Sequence, residues 1–384
     1  MPISKLITST SNYHRSKGNS VSSMASSSSF SAARLLLVAA ALVLLQLASS
    51  DSEAAPPLPS GLSFDFYKSS CPQAESIVSS FLQDAIRRDI GLAAALLRVH
   101  FHDCFVQGCD GSVLLDKTRA GQSSEKDAPP NVTLRPTAFN AINAVRALLE
   151  RACGGPVVSC ADIAALAARD SVRLAGGPWY AVPLGRRDGL EPAPLQAIFD
   201  ALPPPTSNVT TLLRFLAKIG LDADDLVSLS GAHTLGIAHC TSFQERLFPE
   251  DDPTMNKWFA GQLKLTCPRL NTDNTTANDI RTPDAFDNKY YVDLMNRQGL
   301  FTSDQDLHTD ARTKPIVTRF AVDQSAFFQQ FVKSMVKMGQ IQVLTGAKGQ
   351  IRRDCAVPNA ARADDDLPWS VVQTVVEAAE STVL

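Results

Sequence analysis

Apolar residues recur every three to four positions along most of this chain, and no other feature of the sequence constrains its fold as strongly. The period predicts α-helices over nine segments, 72–89, 91–103, 137–152, 160–170, 208–219, 223–230, 255–266, 311–322 and 324–339. Clusters of Gly and Pro separate several of them, as at 176–178 and 203–205. Convincing alternating strands are scarce. The sequence therefore predicts a mostly α-helical protein.

The 384 residues have the composition of an ordinary globular protein, with 45% hydrophobic and 20% charged residues. The formal net charge is −3, so the chain has no basic excess for a nucleic-acid backbone, and we expect no nucleic-acid partner. The eight cysteines are even in number, which fits four disulfides formed in an oxidising compartment. Eight cysteines allow 105 pairings, and the sequence alone leaves the choice open.

The two ends of the chain differ from its helical middle. Arg34 precedes a 13-residue apolar run, 35–47, and small and polar residues follow it, which is typical of a secretory signal peptide. A membrane span needs about 20 apolar residues, so we expect no stable membrane anchor. We expect residues 1–55 to hold the signal peptide and an N-terminal extension, residues 56–359 the folded domain and residues 360–384 a C-terminal extension.

The C-terminal extension joins an acidic linker, 364–366, to five small or apolar residues at helical spacing. These residues are Val371, Val372, Val375, Val376 and Ala379. The segment is interpreted either as a surface helix that closes the domain or as a removable targeting tail, and the linker favours the tail.

The residues with the clearest chemistry lie in the string RVHFHDCFVQGCDGS, 98–112. If the preceding helix continues, Arg98 and His102 lie one turn apart on the same face. A cation and a basic imidazole directed at one point suit a reaction that moves a proton and builds negative charge on oxygen. His100 points to another side and is expected to be a packed or capping histidine.

Three interpretations of this string stay open at the level of the residues. One is a metal-dependent hydrolase with His100, His102 and Asp103 as ligands, although ligands two residues apart splay away from each other on a helix. A second is a polar cluster of the core without chemistry. The third is haem–peroxide chemistry, which needs another histidine to hold iron. His233, in LSGAHTLG at the end of an apolar helical stretch, is the candidate.

Two clusters of oxygen-bearing side chains predict calcium sites or, equally, solvated polar loops. Cys104 and Cys109 are close enough for a local disulfide around Gly108, which would gather three oxygen ligands. These ligands are Asp103, Asp110 and Ser112. The second cluster, in DIRTPDAFDNKYY, consists of Asp279, Thr282 and Asp287.

At these residues the chain closely resembles the secretory plant haem peroxidases of class III. The resemblance runs from about Leu62 to Asn359 and follows the family's order of motifs. The motifs are RVHFHDCFVQGCDGS, EKDAPPN, VVSCADI, PLGRRD, LSGAHTLG, RTPDAFDNKYY, SDQDL and MGQIQVLTGAKGQIRRDC. The resemblance implies an all-α, two-lobed fold with one haem b between the lobes and little β structure. It also implies four disulfides, Cys71–Cys153, Cys104–Cys109, Cys160–Cys355 and Cys240–Cys267.

The resemblance also implies a role for each residue around the haem. His233 matches the proximal iron ligand, and Asp304 matches the carboxylate that accepts a hydrogen bond from its other nitrogen. On the opposite face, His102 matches the base that moves a proton between the oxygens of hydrogen peroxide. Arg98 matches the cation that stabilises the developing charge.

Four further residues match positions that support this chemistry. Asn131 matches the hydrogen-bond partner of His102, with Glu125 linked behind it. Phe101 matches the ring that shields the iron and restricts substrate to the haem edge, and Pro203 matches the residue whose carbonyl helps to bind an aromatic donor. Asn131 also begins one of three glycosylation sequons. Because a glycan would block its role beside His102, we expect Asn131 to stay unmodified. The sequons begin at Asn131, Asn208 and Asn274, and the last two look usable.

The two oxygen clusters match two structural calcium sites of the family. The distal site would use Asp103, Val106, Gly108, Asp110 and Ser112. The proximal site would use Thr234, Asp279, Thr282, Ala285 and Asp287.

The function expected from the resemblance is reduction of hydrogen peroxide to water with oxidation of small phenolic donors in one-electron steps. Cell-wall or lignin phenol oxidation, peroxide removal and stress responses are processes that fit this chemistry. We expect a secreted monomer in the extracellular space or cell wall, with the vacuole as the alternative destination. The alternative to the peroxidase function is a calcium-stabilised secreted protein of the same fold with little activity. The presence of Arg98, His102 and His233 argues against this alternative.

Overall fold

The structure is a computed structural model that describes residues 58–116 and 123–359, and this part of the chain is mainly helical. Within these residues there are twelve α-helices, and nine of them lie in segments that the periodicity predicts. They are α1 (Ala74–Arg88), α2 (Leu92–Phe105), α3 (Pro136–Ala152), α4 (Cys160–Leu174), α5 (Leu195–Ala201), α6 (Val209–Lys218), α7 (Ala223–Ser230), α8 (Lys257–Thr266), α9 (Lys289–Met295), α10 (Thr302–Thr309), α11 (Lys314–Val322) and α12 (Gln324–Met338).

The helices pack in two groups, as the expected two-lobed fold requires. The first four, α1 to α4, contact one another, and α2 and α4, which both contain several buried alanines, pack on each other. The second group contains α6, α7 and α9 to α12, in which α12 packs on α7 and α11 packs on α9. Contacts between α2 and α12 join the groups.

One small sheet is present among the described residues. Its strands, β1 (Ile237–His239) and β2 (Thr275–Ala277), pair antiparallel with Ala238 opposite Thr276. The expectation of little β structure is therefore confirmed.

Three helices were not predicted from the periodicity, namely α5, α9 and α10. They have seven, seven and eight residues. α5 and α9 span less than two full turns, and α10 (TSDQDLHT) has a single apolar residue, so none of the three repeats an apolar pattern. Their stability comes from tertiary packing.

Four disulfides use all eight cysteines, and the described residues contain no free cysteine. Their pairs are those that the resemblance implies, Cys71–Cys153, Cys104–Cys109, Cys160–Cys355 and Cys240–Cys267. The third ties the first residue of α4 to the C-terminal part of the domain across 195 residues. The second closes the loop that follows α2.

The predicted signal peptide and C-terminal extension lie outside the described residues. Within 58–116 and 123–359, no helix is long and apolar enough to cross a membrane.

Candidate active site

The central helix α2 carries the residues with the densest predicted chemistry. Its sequence, LAAALLRVHFHDCF, begins with strong helix formers, and most of its residues are buried, so other helices surround it. Arg98 and His102 lie one turn apart, as predicted, and Arg98 Nε donates to His102 Nε2 at 3.2 Å. The structure therefore brings this cation and this imidazole together.

Asn131 determines which ring nitrogen of His102 is basic. The distance from His102 Nδ1 to Asn131 Oδ1 is 2.6 Å, and Asn131 Nδ2 donates to the main-chain carbonyl of Glu125 at 2.8 Å. Because Asn131 Oδ1 can only accept, Nδ1 carries the proton and Nε2 holds the lone pair. Burial, together with the charge of Arg98, lowers the pKa of His102 to about 3. His102 is therefore a neutral base at ordinary pH.

The guanidinium of Arg98 is held by main-chain carbonyls as well as by His102. Nη1 donates to Thr133 O at 3.0 Å, and Nη2 donates to Pro130 O at 3.1 Å. Burial lowers the pKa of Arg98 to about 10, which still leaves it charged. The segment that contains Asn131 thus positions both side chains.

Glu125 supports Asn131 through its main chain, whereas its carboxyl group has a different partner. Oε1 accepts from the amide of Ala193 at 2.8 Å. Oε2 is buried without a hydrogen-bond partner among the described atoms. Burial raises the pKa of Glu125 to about 7. Glu125 is therefore linked to Asn131 through its main-chain carbonyl group and not through its carboxyl group. The type of side chain at position 125 cannot predict such a bond.

His233 lies in the 3₁₀ turn Gly231–Thr234, directly after α7. Its Nδ1 is 2.7 Å from Oδ1 of Asp304, a buried residue in the first turn of α10. Because Nδ1 donates to this carboxylate, Nε2 is the ring atom left to bind a metal. The side chain is 38% exposed, so it borders open space. These features suit an iron ligand.

A close contact connects the segment after His233 with the helix that carries Arg98 and His102. Gly236, three residues after His233, has φ +90°, and a Cβ atom there would lie 2.9 Å from Ala94 Cβ. Ala94, Arg98 and His102 are spaced four apart and share one face of α2. That face is therefore directed at the segment that follows His233. A metal ligand on one side and a base with a cation on the other fit a haem.

Phe101 lies beside His102, and the loop that contains Pro203 is attached to the helix that carries Asp304. The Phe101 ring is half-buried and meets the rings of His102 and Phe105 edge-on, with centroids 5.0 and 4.5 Å away. Pro203 belongs to a loop whose Pro205 carbonyl accepts from the amide of Ser303 at 2.9 Å. This loop is thus fixed to the same helix turn as Asp304.

The loop after α2 gathers buried oxygens that lack partners. Asp103 Oδ2 accepts from the Gly111 amide at 2.9 Å, but its Oδ1 and the Ser112 hydroxyl have no partner among the described atoms. Burial and the neighbouring Asp110 carboxylate raise the pKa of Asp103. A cation among these oxygens would give the unpaired oxygens a partner and would neutralise the buried carboxylates of Asp103 and Asp110.

The second oxygen cluster surrounds Thr234, the residue after His233. Its hydroxyl lies 3.1 Å from Asp279 Oδ2, 3.2 Å from Ala285 O and 3.4 Å from Asp287 Oδ1. The Thr282 hydroxyl is 3.1 Å from the same Asp287 oxygen. One hydroxyl proton cannot satisfy three acceptors, so this arrangement is typical of a hard cation site.

The hydrolase interpretation of the HxHD string is not supported by the structure. His100 is buried, with its ring 3.6 Å from Cys104 Sγ, and it lines a small cavity with Tyr180 and Arg186. Burial and Arg186 lower its pKa to about 3. Among the described residues, no group of three or more His, Cys, Asp or Glu side chains could hold a metal ion. Each oxygen cluster has only two of these side chains as proposed ligands and would depend on hydroxyl and carbonyl oxygens for the rest.

Comparison with known proteins gives a consistent picture. The profile of the family described as "Peroxidase" matches residues 78–323. Cationic peroxidase SPC4 from Sorghum bicolor is 62% identical over 336 residues, which cover 88% of this chain and 92% of that protein. Peroxidase 12 from Arabidopsis thaliana is 58% identical over 79% of this chain and 84% of its own length. Peroxidase 54 from the same plant is 46% identical over 78% and 84%.

Proposed function

The chain belongs to the class III plant peroxidases, and from this premise we propose that it binds haem b between His233 and the pair Arg98 and His102. It is a haem peroxidase that reduces hydrogen peroxide at the expense of a reducing donor. The observation that carries the site assignment is the pair of oriented imidazoles. Asn131 holds Nδ1 of His102 and Asp304 holds Nδ1 of His233, so both Nε2 atoms keep their lone pair; the one on His102 accepts from Arg98 Nε.

Haem, when bound through its iron to His233, supplies a redox centre that exchanges electrons with peroxide and with donors. The contribution of His233 and Asp304 is electronic. A carboxylate that accepts from Nδ1 makes the imidazole more anionic and a stronger ligand. The burial of Asp304 strengthens this effect, because water does not compete for its oxygens.

His102 and Arg98 act on the peroxide. His102 Nε2 accepts a proton from one peroxide oxygen and delivers it to the other, which departs as water. Arg98 stabilises the negative charge that grows on the departing oxygen, and the main-chain carbonyls of Pro130 and Thr133 hold its guanidinium. Peroxide must take the place of the direct bond between Arg98 Nε and His102 Nε2.

The reducing substrates that this site favours are small phenols, each of which gives up one electron. Phe101 would restrict them to the edge of the haem, and the carbonyl of Pro203 would accept from a phenolic hydroxyl. The loop of Pro203 is anchored at Ser303, so its position depends on the helix that also carries Asp304. Phenol oxidation in the cell wall and removal of peroxide are processes that such a reaction serves.

Two structural calcium ions are proposed with the haem. The unpartnered oxygens of Asp103 and Ser112 support the distal site, and the crowded oxygens around Thr234 support the proximal site. The proposed ligands are Asp103, Val106, Gly108, Asp110 and Ser112 at the distal site and Thr234, Asp279, Thr282, Ala285 and Asp287 at the proximal site.

The proposed form of the protein in the plant is a secreted monomer. The apolar run 35–47 supports removal of a signal peptide within residues 1–55, which leaves 56–359 as the peroxidase domain. Four disulfides fit an oxidising compartment such as the cell wall. A targeting role for 360–384 would direct the protein to the vacuole instead.

Absorption spectroscopy of the purified mature protein, with calcium present, tests this function. One equivalent of hydrogen peroxide should bleach and shift the Soret band, and a phenol should restore it. A colourless protein after haem reconstitution would contradict the haem assignment. A haem band that does not respond to peroxide would instead indicate the alternative, a folded, calcium-stabilised relative with little activity.

A further inference from the structure

The carboxylate of Asp304 receives a second side-chain hydrogen bond that the proposed chemistry does not use. Oδ1 accepts from His233 Nδ1 at 2.7 Å and from the Tyr290 hydroxyl at 2.8 Å. Oδ2 accepts from the amide of Phe301 at 3.0 Å. Two side-chain donors therefore share one carboxylate oxygen.

The surroundings of Tyr290 keep its hydroxyl directed at Asp304. Tyr290 lies on α9 and is 2% exposed. Its ring meets those of His233 and Tyr291 edge-on, with centroids 6.0 and 5.1 Å away. Burial and the charge of Asp304 both raise the pKa of Tyr290, so the hydroxyl keeps its proton and remains a donor.

We propose that Tyr290 is a positioning residue that limits how strongly Asp304 attracts the proton on His233 Nδ1. A carboxylate oxygen that already accepts one hydrogen bond is a weaker acceptor for the next. The Tyr290 hydroxyl thereby keeps the His233 imidazole less anionic and reduces its electron donation to iron. This inference rests on the proposed role of His233 as the iron ligand.

The neighbouring residue on the same helix provides a matched control. Tyr291 is also fully buried, and its hydroxyl donates to the main-chain carbonyl of Val227 at 2.9 Å. Tyr291→Phe therefore removes the same atom from the same helix without touching Asp304.

The experiment compares reduced holoenzymes by resonance Raman spectroscopy and by redox titration. In Tyr290→Phe we expect the iron–histidine stretching frequency to rise. We also expect the equilibrium between ferric and ferrous iron to shift up to tenfold towards the ferric form. This shift lowers the reduction potential of the iron by about 59 mV for one electron. Tyr291→Phe should match wild type, and Asp304→Asn should shift both quantities the other way. A Tyr290→Phe protein with wild-type values, or with values shifted towards those of Asp304→Asn, overturns the proposal.

A second variant keeps the test decisive if Tyr290→Phe does not load haem. Replacement of Tyr290 by 3-fluorotyrosine makes the hydroxyl a stronger donor, so the frequency should fall and the potential should rise. Unchanged values would overturn the proposal. His233→Ala separates the two levels of inference. If the iron–histidine band is lost in His233→Ala but is unaltered by both changes at Tyr290, only the role of Tyr290 is contradicted. If the band survives in His233→Ala, the assignment of His233 as the iron ligand is contradicted as well.

Discussion

His102 Nδ1 lies 2.6 Å from Asn131 Oδ1, and this one contact decides which ring nitrogen can act as a base. Asn131→Val removes the acceptor and leaves the Nδ1 proton buried without a partner, so Nε2 becomes less basic and the ring less well oriented. We expect the rate of reaction with peroxide, measured by stopped flow, to fall about 10- to 100-fold. Asn143→Val is the control, because among the described residues the Asn143 side chain hydrogen-bonds only to the Cys355 amide. Equal rates in the two variants would show that Asn131 does not orient the base.

The pH dependence of the peroxide reaction should follow the charge of His102. Its pKa is lowered to about 3 by burial and by Arg98, so the wild-type rate should be flat near neutrality and fall as the pH drops towards that value. Arg98→Leu removes the charge that disfavours the imidazolium, so the pKa rises and the fall should begin at a higher pH. Loss of transition-state stabilisation should also lower the maximal rate about 10²- to 10³-fold.

The control for this prediction is Arg87→Leu, which removes an exposed cation paired with Asp84 on α1. Its rate and pH profile should equal those of wild type. An Arg98→Leu protein that loses rate but keeps the wild-type pH profile would contradict the electrostatic coupling of Arg98 and His102.

Removal of calcium should affect the haem through the proximal site. Thr234 follows His233 directly, and its hydroxyl lies among the oxygens of Asp279, Ala285 and Asp287. Without a cation these oxygens repel one another, and the turn that carries the iron ligand should move. We expect chelation to change the Soret spectrum and to lower the melting temperature, since saturation at 100 times the Kd stabilises a site by about 2.7 kcal/mol.

Two variants separate the calcium sites. Asp287→Asn should reproduce the spectral change on its own, whereas Asp110→Asn should mainly lower stability. Haem spectra that stay constant after complete calcium removal would contradict the proposed link from Thr234 to His233.

Much of this architecture follows from local sequence signals, and the rest depends on tertiary contacts. The long amphipathic helices were predictable because each repeats its apolar pattern over several turns, and the i,i+4 spacing of Arg98 and His102 was enough to bring them together. The bond from Asn131 to the Glu125 carbonyl was not predictable, because main-chain acceptors carry no residue identity. The Tyr290 hydroxyl on Asp304 joins α9 and α10, neither of which repeats an apolar pattern, so no periodic signal in the sequence indicated it.

The contact of Gly236 with Ala94 should make the stability of the protein sensitive to one added methyl group at position 236. Gly236→Ala places a Cβ atom 2.9 Å from Ala94 Cβ in a residue with φ +90°. We expect the free energy of unfolding to fall by about 1–3 kcal/mol from strain and overpacking. Gly176→Ala is the control, because Gly176 has φ +98° but open space around it. The cost of Gly236→Ala should be smaller when it is measured in an Ala94→Gly background, which removes the contact, and an equal cost in both backgrounds would show that the contact is not the cause.

Glycan occupancy should follow the exposure of the three sequon asparagines. Asn131 is 2% exposed and uses both side-chain atoms in hydrogen bonds, so a glycan would disrupt the support of His102. Asn208 is exposed just before α6, where Oδ1 accepts from the Thr211 amide and Nδ2 has no partner among the described residues. The exposed Asn274 donates from Nδ2 to Thr266 O at 2.8 Å, a bond that glycosylation would perturb. Glycopeptide mapping of the secreted protein should therefore find highest occupancy at Asn208, less at Asn274 and none at Asn131. A glycan at Asn131 in active protein would contradict its role beside His102.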